Sequence, residues 1–232
     1  MAVNQESQVF LFLSQILGKK IVDTAGRPLG VLADLVVNPA ESYPLVRDIL
    51  VSSRRNAPPL RIPWERVADC NGRLTIRPEA AGALPARSLA ENELLLRDAL
   101  LDKQIVDTDG AKVRRVNDLQ FLKAHRCLYL IHVDVGFRGL MRRVGLEKVM
   151  DAFLRWFFDY TLTDQWISWK FVQPLATPDL LRLSITQDRL SQLHPADLAD
   201  IIEDLDIHKR TAVFRSLDVE TAAETLEETD PK

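Results

Sequence analysis

Two aspartates, Asp23 and Asp107, sit in nearly identical hexapeptides, IVDTAG and IVDTDG, which start at Ile21 and Ile105, 84 residues apart. A pair of carboxylates is what general acid–base chemistry at a shared site would use. The neighbouring residues give a plainer reading. Aspartate at the first position of a tight turn accepts a backbone N–H two residues on. Glycine at its last position, Gly26 or Gly110, takes a positive φ at little cost. The turn role accounts for both carboxylates. The four histidines, His125, His132, His194 and His208, are scattered along the chain. Cys70 and Cys127 form no metal-ligand spacing and read as reduced thiols. The sequence contains no glycine-rich phosphate loop, nucleophile elbow or His-x-x-x-His. The expectation is no catalytic residue, no tightly bound cofactor and no enzymatic activity.

The elements that place these turns repeat with them. Phe10–Val37 falls on Leu94–Phe121 with ten of 28 positions identical. Each copy reads as a short helical turn, a β-hairpin, a third strand (VRDILVSS from Val46, LYLIHVDV from Leu128), a fourth strand holding Ile-x-Trp-x-x-Val and a short fifth strand (RLTI from Arg73, LLRL from Leu180). Trp64 and Trp169 occupy that motif and are expected to plug the ends of small barrels. Short strands with Gly/Pro turns favour closure, which also removes exposed edges. The fold class expected is mainly β with α: two independently folding small β-barrels in tandem, then a short C-terminal α-helical segment. The boundaries are 8–78 for the first barrel, 79–93 for a surface linker, 94–184 for the second barrel and 185–232 for the helices.

The second copy carries about twenty extra residues between its third and fourth strands. There, Leu146, Val149, Met150, Phe153, Phe157 and Tyr160 recur at helical spacing, predicting an amphipathic helix over about 139–162. Three readings stay open: a helix packed on its own barrels, a helix for dimerisation or docking, and a membrane-surface helix. The wide apolar face argues for protein over lipid. Val149, Phe153, Trp156, Phe157, Arg142 and Arg143 are the partner-docking candidates.

Composition fits an ordinary folded protein, with 47% hydrophobic and 27% charged residues. No apolar run reaches the roughly 18–20 residues that span a bilayer, so the chain reads as cytoplasmic without membrane insertion. Net charge is −3 but uneven. Residues 174–232 hold 6 Lys/Arg against 13 Asp/Glu, and the rest hold 24 against 20. In the acidic part, Pro195 suits the first helical position. Leu198, Ile201, Ile202 and Leu205 form one stripe. Asp218 can cap a last helix with Val219, Ala222, Ala223 and Leu226 facing inward.

Two resemblances follow. The stretches ILGKKIVDTAGRPLGVLADLVV and IPWERV, with their counterparts in the second copy, resemble the PRC-barrel family. Asp102 stands where the first copy has Gly18, and Arg114 where it has Gly30. The stretch from Leu190 to Lys232, with HPADLAD and AAETLEE, resembles the start of the cytoplasmic N-terminal domain of MgtE magnesium transporters. That resemblance implies an acidic, weakly Mg²⁺-responsive face including Asp197, Asp200, Glu203, Asp204 and Asp206, although helix-dipole preference alone also explains acids near a helix start. It implies a regulatory or scaffolding module related to the soluble part of magnesium-transport proteins. Its partner would be CBS domains or a second copy of the chain, the latter through the inserted helix. A PRC-like barrel also occurs in a ribosome maturation factor, so an RNA- or ribosome-associated role is the alternative. The weakly basic body and acidic tail argue against nucleic acid.

Overall fold

The structure is a computed structural model that describes residues 9–53, 59–69, 74–77, 84–85, 89–90, 92–158, 163–174, 190, 193–203, 205, 210–211, 213–214 and 217–229. The first half contributes strands β1 (Val9–Phe12), β2 (Lys20–Asp23), β3 (Pro28–Val37), β4 (Val46–Ser52), β5 (Leu60–Pro63), β6 (Val67–Asp69), β7 (Leu74–Ile76) and β8 (Leu84–Pro85), with helical turn α1 (Leu13–Ile16). The second half contributes β9 (Leu94–Leu95), turn α2 (Leu96–Leu100), β10 (Gln104–Asp107), β11 (Lys112–Arg115), β12 (Asp118–Ala124), β13 (Cys127–Asp134), β14 (Trp166–Ser168) and β15 (Val172–Pro174). Among the described residues these strands form three sheets, and none closes into a barrel. The expected short fifth strand near Leu180 lies outside the described residues, as does Cys70.

The two halves exchange their first strands. β1 pairs with β12 of the second half, Leu11 opposite Phe121. Reciprocally, β9 pairs with β3 of the first half, Leu95 opposite Val36. The helical turns cross over too. The Asp118 carboxylate accepts the Ser14 backbone N–H (3.1 Å) and the Ser14 hydroxyl (2.6 Å), holding α1. At the equivalent place, Asp34 accepts the backbone N–H groups of Arg97 (2.7 Å) and Asp98 (3.1 Å), holding α2. One hydrophobic core therefore runs through both halves, from Leu13, Ile21, Ile49 and Trp64 to Leu96, Ile105, Phe121 and Trp169. This corrects the expectation of two independent units: each half lacks an edge strand that only the other supplies.

Hairpin chemistry is as expected at Asp23 and Asp107, with instructive substitutions. Gly26 takes φ 78°, but in the second turn Ala111, not Gly110, is left-handed, at φ 45°. Gly110 instead sits close to the Asp107 carboxylate, whose oxygen, 2.7 Å from where a Cβ would lie, would have to move for one. Asp102 keeps the left-handed geometry of Gly18, with φ 65° against 73°. The Gly18 N–H donates to the Leu32 carbonyl (2.9 Å), and the Asp102 N–H to that of Val116 (3.0 Å). Arg114 in place of Gly30 has a larger consequence. Gly30, at φ 150°, lets β3 run on against β4, where any Cβ would meet the Ser52 carbonyl oxygen at 2.4 Å. The second half has no such glycine, and its strand breaks between β11 and β12.

The linker is partly sheet: β8 pairs with β5, and Glu93 forms an ion pair with Arg61. The insertion forms two helices, α3 (Phe137–Val144) and α4 (Glu147–Phe158). The expected single helix is interrupted by Gly145, which takes φ 78° and closes α3. The C-terminal helices are α5 (Pro195–Glu203) and α6 (Val219–Glu228). The α5 stripe Leu198, Ile201, Ile202 and Leu205 is buried against Val106 and Val113 of the β10–β11 hairpin and against Val213. Asp218 caps α6, accepting the backbone N–H groups of Glu220 (3.1 Å) and Thr221 (3.0 Å). The expected inward face of α6 is corrected: Val219 is 89% exposed and Leu226 is exposed, while Thr225 is buried, its hydroxyl donating to the Thr221 carbonyl (2.7 Å). The threonine hydroxyl satisfied inside its own helix tolerates burial, so the helix turns its apolar stripe outward.

Candidate interaction surface and the charge node beneath it

Strand β13 ends at Asp134, and Gly136 starts the helical arm, its N–H donating to the Asp134 carboxylate (2.9 Å). Gly139, one turn into α3, packs directly on that carboxylate, where a Cβ would come within 2.5 Å. The close approach brings Arg142 down to the sheet. Its guanidinium donates to Asp134 (3.1 Å) and Asp164 (3.3 Å). It also lies 3.5 Å from Glu147 and 3.9 Å from Asp118, and stacks over the Phe12 ring at 3.6 Å. Asp118 and Asp134 are fully buried, and only 7% of the Arg142 side chain is exposed. Burial raises both carboxyls above their ordinary range; the bonds to Ser14 and Leu119 oppose this at Asp118, and those to Gly136 and Arg142 at Asp134. One cation thus meets the carboxylate that holds α1 and the one that starts α3. Removing either side of such a node leaves a buried charge without compensation.

Arg142 was a docking candidate from sequence, and the structure corrects this: its charge is consumed inside. Arg143 is likewise drawn back, its guanidinium donating to Asp102. The apolar candidates lie on the exposed side of α4. Trp156 is 84% exposed, and Val149, Phe153 and Phe157 are exposed beside it, extended by Leu146, Val144 and Phe137. The rings of Phe153 and Phe157 are 4.7 Å apart, and those of Trp156 and Phe157 5.4 Å. The helix is held down by its polar side instead. Arg138 of α3 pairs with Glu147 (2.8 Å) and Asp151 (3.4 Å), and also reaches Asp164 at 3.6 Å. At 100° per residue, Glu147 and Asp151 lie opposite the ridge of Val149, Phe153 and Trp156. Salt bridges fix which side of α4 faces inward, and the aromatic side chains on its other side are exposed.

The acidic candidates behave differently. Asp197, Asp200 and Glu203 lie along α5, whereas Asp204 and Asp206 fall outside the described residues. Among the described residues, no group of three or more His, Cys, Asp or Glu side chains is placed to hold a metal ion. An open groove at the junction of the halves is lined by Ser14, Asp34, Arg97, Asp98, Asp102 and Arg143, among others. Two of its three acids are engaged: Asp34 with the backbone of α2, and Asp102 with Arg143 and Arg115. The junction aspartates Asp34, Asp118 and Asp134 were missed from sequence. The signal was present for two of them, since Asp34 and Asp118 are one of the ten identities in the 84-residue shift.

No helix among the described residues is long and apolar enough to cross a membrane. Residues 8–81 match the family model of the PRC-barrel domain. Residues 193–232 match the model of the MgtE intracellular N domain. No curated protein matches the chain. The second half is tied to the first by the reciprocal registers and capping aspartates rather than by the family match. The chain therefore carries a segment similar to the PRC-barrel domain and another similar to the MgtE intracellular N domain, with a second β half between them that pairs with the first.

Proposed function

We propose that this chain is a non-enzymatic cytoplasmic regulatory or scaffolding module, related to the soluble part of magnesium-transport proteins and working by protein–protein contact. The observation that carries the reading is the α4 ridge: Val149, Phe153, Trp156 and Phe157 stand outward on an arm clamped through Arg138 and Arg142. A flexible arm would fold such a ridge onto the body. A clamped one keeps it available at no further ordering cost. The match of residues 193–232 supports the link to magnesium transport. In this reading the acidic helices bind Mg²⁺ weakly, through water-mediated contacts to Asp197, Asp200, Glu203, Asp204 and Asp206, because Mg²⁺ keeps most of its hydration shell. Mg²⁺ screening would then change how α5 sits on the β10–β11 hairpin and how α6 sits on α5. The test is thermal unfolding and hydrogen exchange of the whole chain with and without millimolar Mg²⁺, with Ca²⁺ and matched ionic strength as controls. A Mg²⁺-specific gain in protection in residues 193–229 is expected. Identical profiles would remove the sensing part of the proposal.

A further inference from the structure

We infer that the α4 ridge is covered by α6 of a second copy of this chain. The inference rests on the contact reading above and names its occupant. Two helices of the chain leave an apolar stripe in solvent, and their charges are opposite. On α4, Glu147 and Asp151 are used internally by Arg138. Lys148 and Arg155 are then the charges left at the rim of the ridge, and both are exposed. On α6, the stripe is Val219, Ala223 and Leu226, spaced three, four and seven and exposed throughout, and its rim is Glu220, Glu224 and Glu227, also exposed.

The spacings match. Val149 and Trp156 are seven residues apart, as are Val219 and Leu226; Lys148 and Arg155 are seven apart, as are Glu220 and Glu227. A seven-residue repeat on both helices is what lets two stripes stay in contact over two turns. On a 100° wheel the basic rim lies on one flank of its stripe, and the acidic rim on the opposite flank of its own. Parallel helices bring opposite flanks together, so parallel seating pairs Lys148 and Arg155 with the glutamates. Each copy offers one ridge and one stripe. Reciprocal seating makes the contact twice and closes as a two-fold dimer. An anionic lipid surface fits less well. The chain is net negative, and its surplus acid lies in residues 174–232, the part that holds α6. A lipid surface would also leave the α6 stripe uncovered.

The test is sedimentation of the whole chain across the micromolar range at low and high salt. The expected result is a monomer–dimer equilibrium that weakens with salt. Trp156→Ala should weaken it at least about thirty-fold, as a central aromatic anchor does. Lys148→Glu with Arg155→Glu should weaken it roughly ten-fold, as should Glu220→Lys with Glu227→Lys. Combining the two charge reversals should restore the wild-type affinity. All five positions are exposed, so far-ultraviolet circular dichroism should be unchanged.

Three results would overturn the inference. One is a chain that stays monomeric throughout. Another is a dimer broken by Trp156→Ala but indifferent to the α6 reversals, which would mean that the ridge pairs with itself. The third is Trp156-dependent flotation on phosphatidylserine vesicles without self-association. A monomer whose hydrogen exchange still responds to Mg²⁺ would sink this inference and leave the sensing part of the proposed function standing. A charge-dependent dimer indifferent to Mg²⁺ would do the reverse.

Discussion

The first and second halves use the same aspartate for the same task but surround it differently. Asp34 holds α2 through backbone N–H groups alone, while Asp118 holds α1 and lies 3.9 Å from Arg142, which also pairs with Asp134. The arginine beside Asp34, Arg97 of α2, reaches the Ala33 carbonyl instead, at 3.4 Å. The indoles differ in the same way. Trp64 donates its N–H to the Arg126 carbonyl of the other half (2.8 Å), whereas the buried Trp169 N–H has no partner among the described residues. Both indoles begin a one-turn 3-10 helix, Trp64–Arg66 and Trp169–Phe171, and both are buried. The duplicated scaffold thus tolerates two electrostatic solutions. The second half accepts a buried carboxylate pair because the inserted arm delivers a cation to it.

The sharpest way to break this comparison is to remove the cation. Arg142→Met leaves Asp118 and Asp134 buried without compensation, and chemical denaturation should show a loss of about 3–5 kcal/mol. Arg97→Met, on the α2 turn that Asp34 holds, should stay within about 0.5 kcal/mol. If the two losses are equal, the halves are not electrostatically distinct. Next in size is the strand bend. Gly30→Ala forces a Cβ toward the Ser52 carbonyl at a φ that disfavours side chains, and should cost about 1–3 kcal/mol. Arg114→Ala at the equivalent place should be near neutral. The tryptophans then sharpen the contrast. Trp→Phe leaves a similar gap in either half. Only Trp64→Phe strands a carbonyl, so it should cost about 1 kcal/mol more than Trp169→Phe.

The smallest effect is on pH. Burial raises the Asp118 carboxyl in the folded state. Its contribution to stability is therefore fully present below the ordinary carboxylate pKa, near pH 4, and is lost as pH rises through the raised value. Asp118→Asn should abolish that slope. Denaturant melts should show the wild-type advantage over the variant shrinking as pH climbs from about 4, then levelling. Asp34→Asn should do the same, since burial raises Asp34 as well. A wild-type advantage that instead grows with pH would mean that Arg142 outweighs the burial of Asp118.

Much of this was legible because it is local. The turn at Asp23, the Asp218 cap, the Pro195 start and the α5 stripe each depend on residues within a few positions of one another. The apolar stripe of α4 was legible as well, because helical spacing marks a stripe whatever covers it. Arg142 and Arg143 were misjudged because their partners, Asp134 and Asp102, belong to elements that only the fold brings near. Val219 and Leu226 were misjudged because a thin stripe does not say which way it turns when a threonine can satisfy itself inside.

The sequence by itself determined that a strand–hairpin unit occurs twice, that an amphipathic arm interrupts the second copy, and where the last helices begin. The tertiary structure alone decided that the copies trade their first strands. Repeated strands offer near-equivalent hydrogen-bonding edges, so either pairing satisfies the same local pattern, and only chain connectivity and the shared core break the tie. It also decided that α4 faces outward. An amphipathic period fixes the angle between the polar and apolar sides, while the cations of Arg138 and Arg142 fix which of them is held to the body.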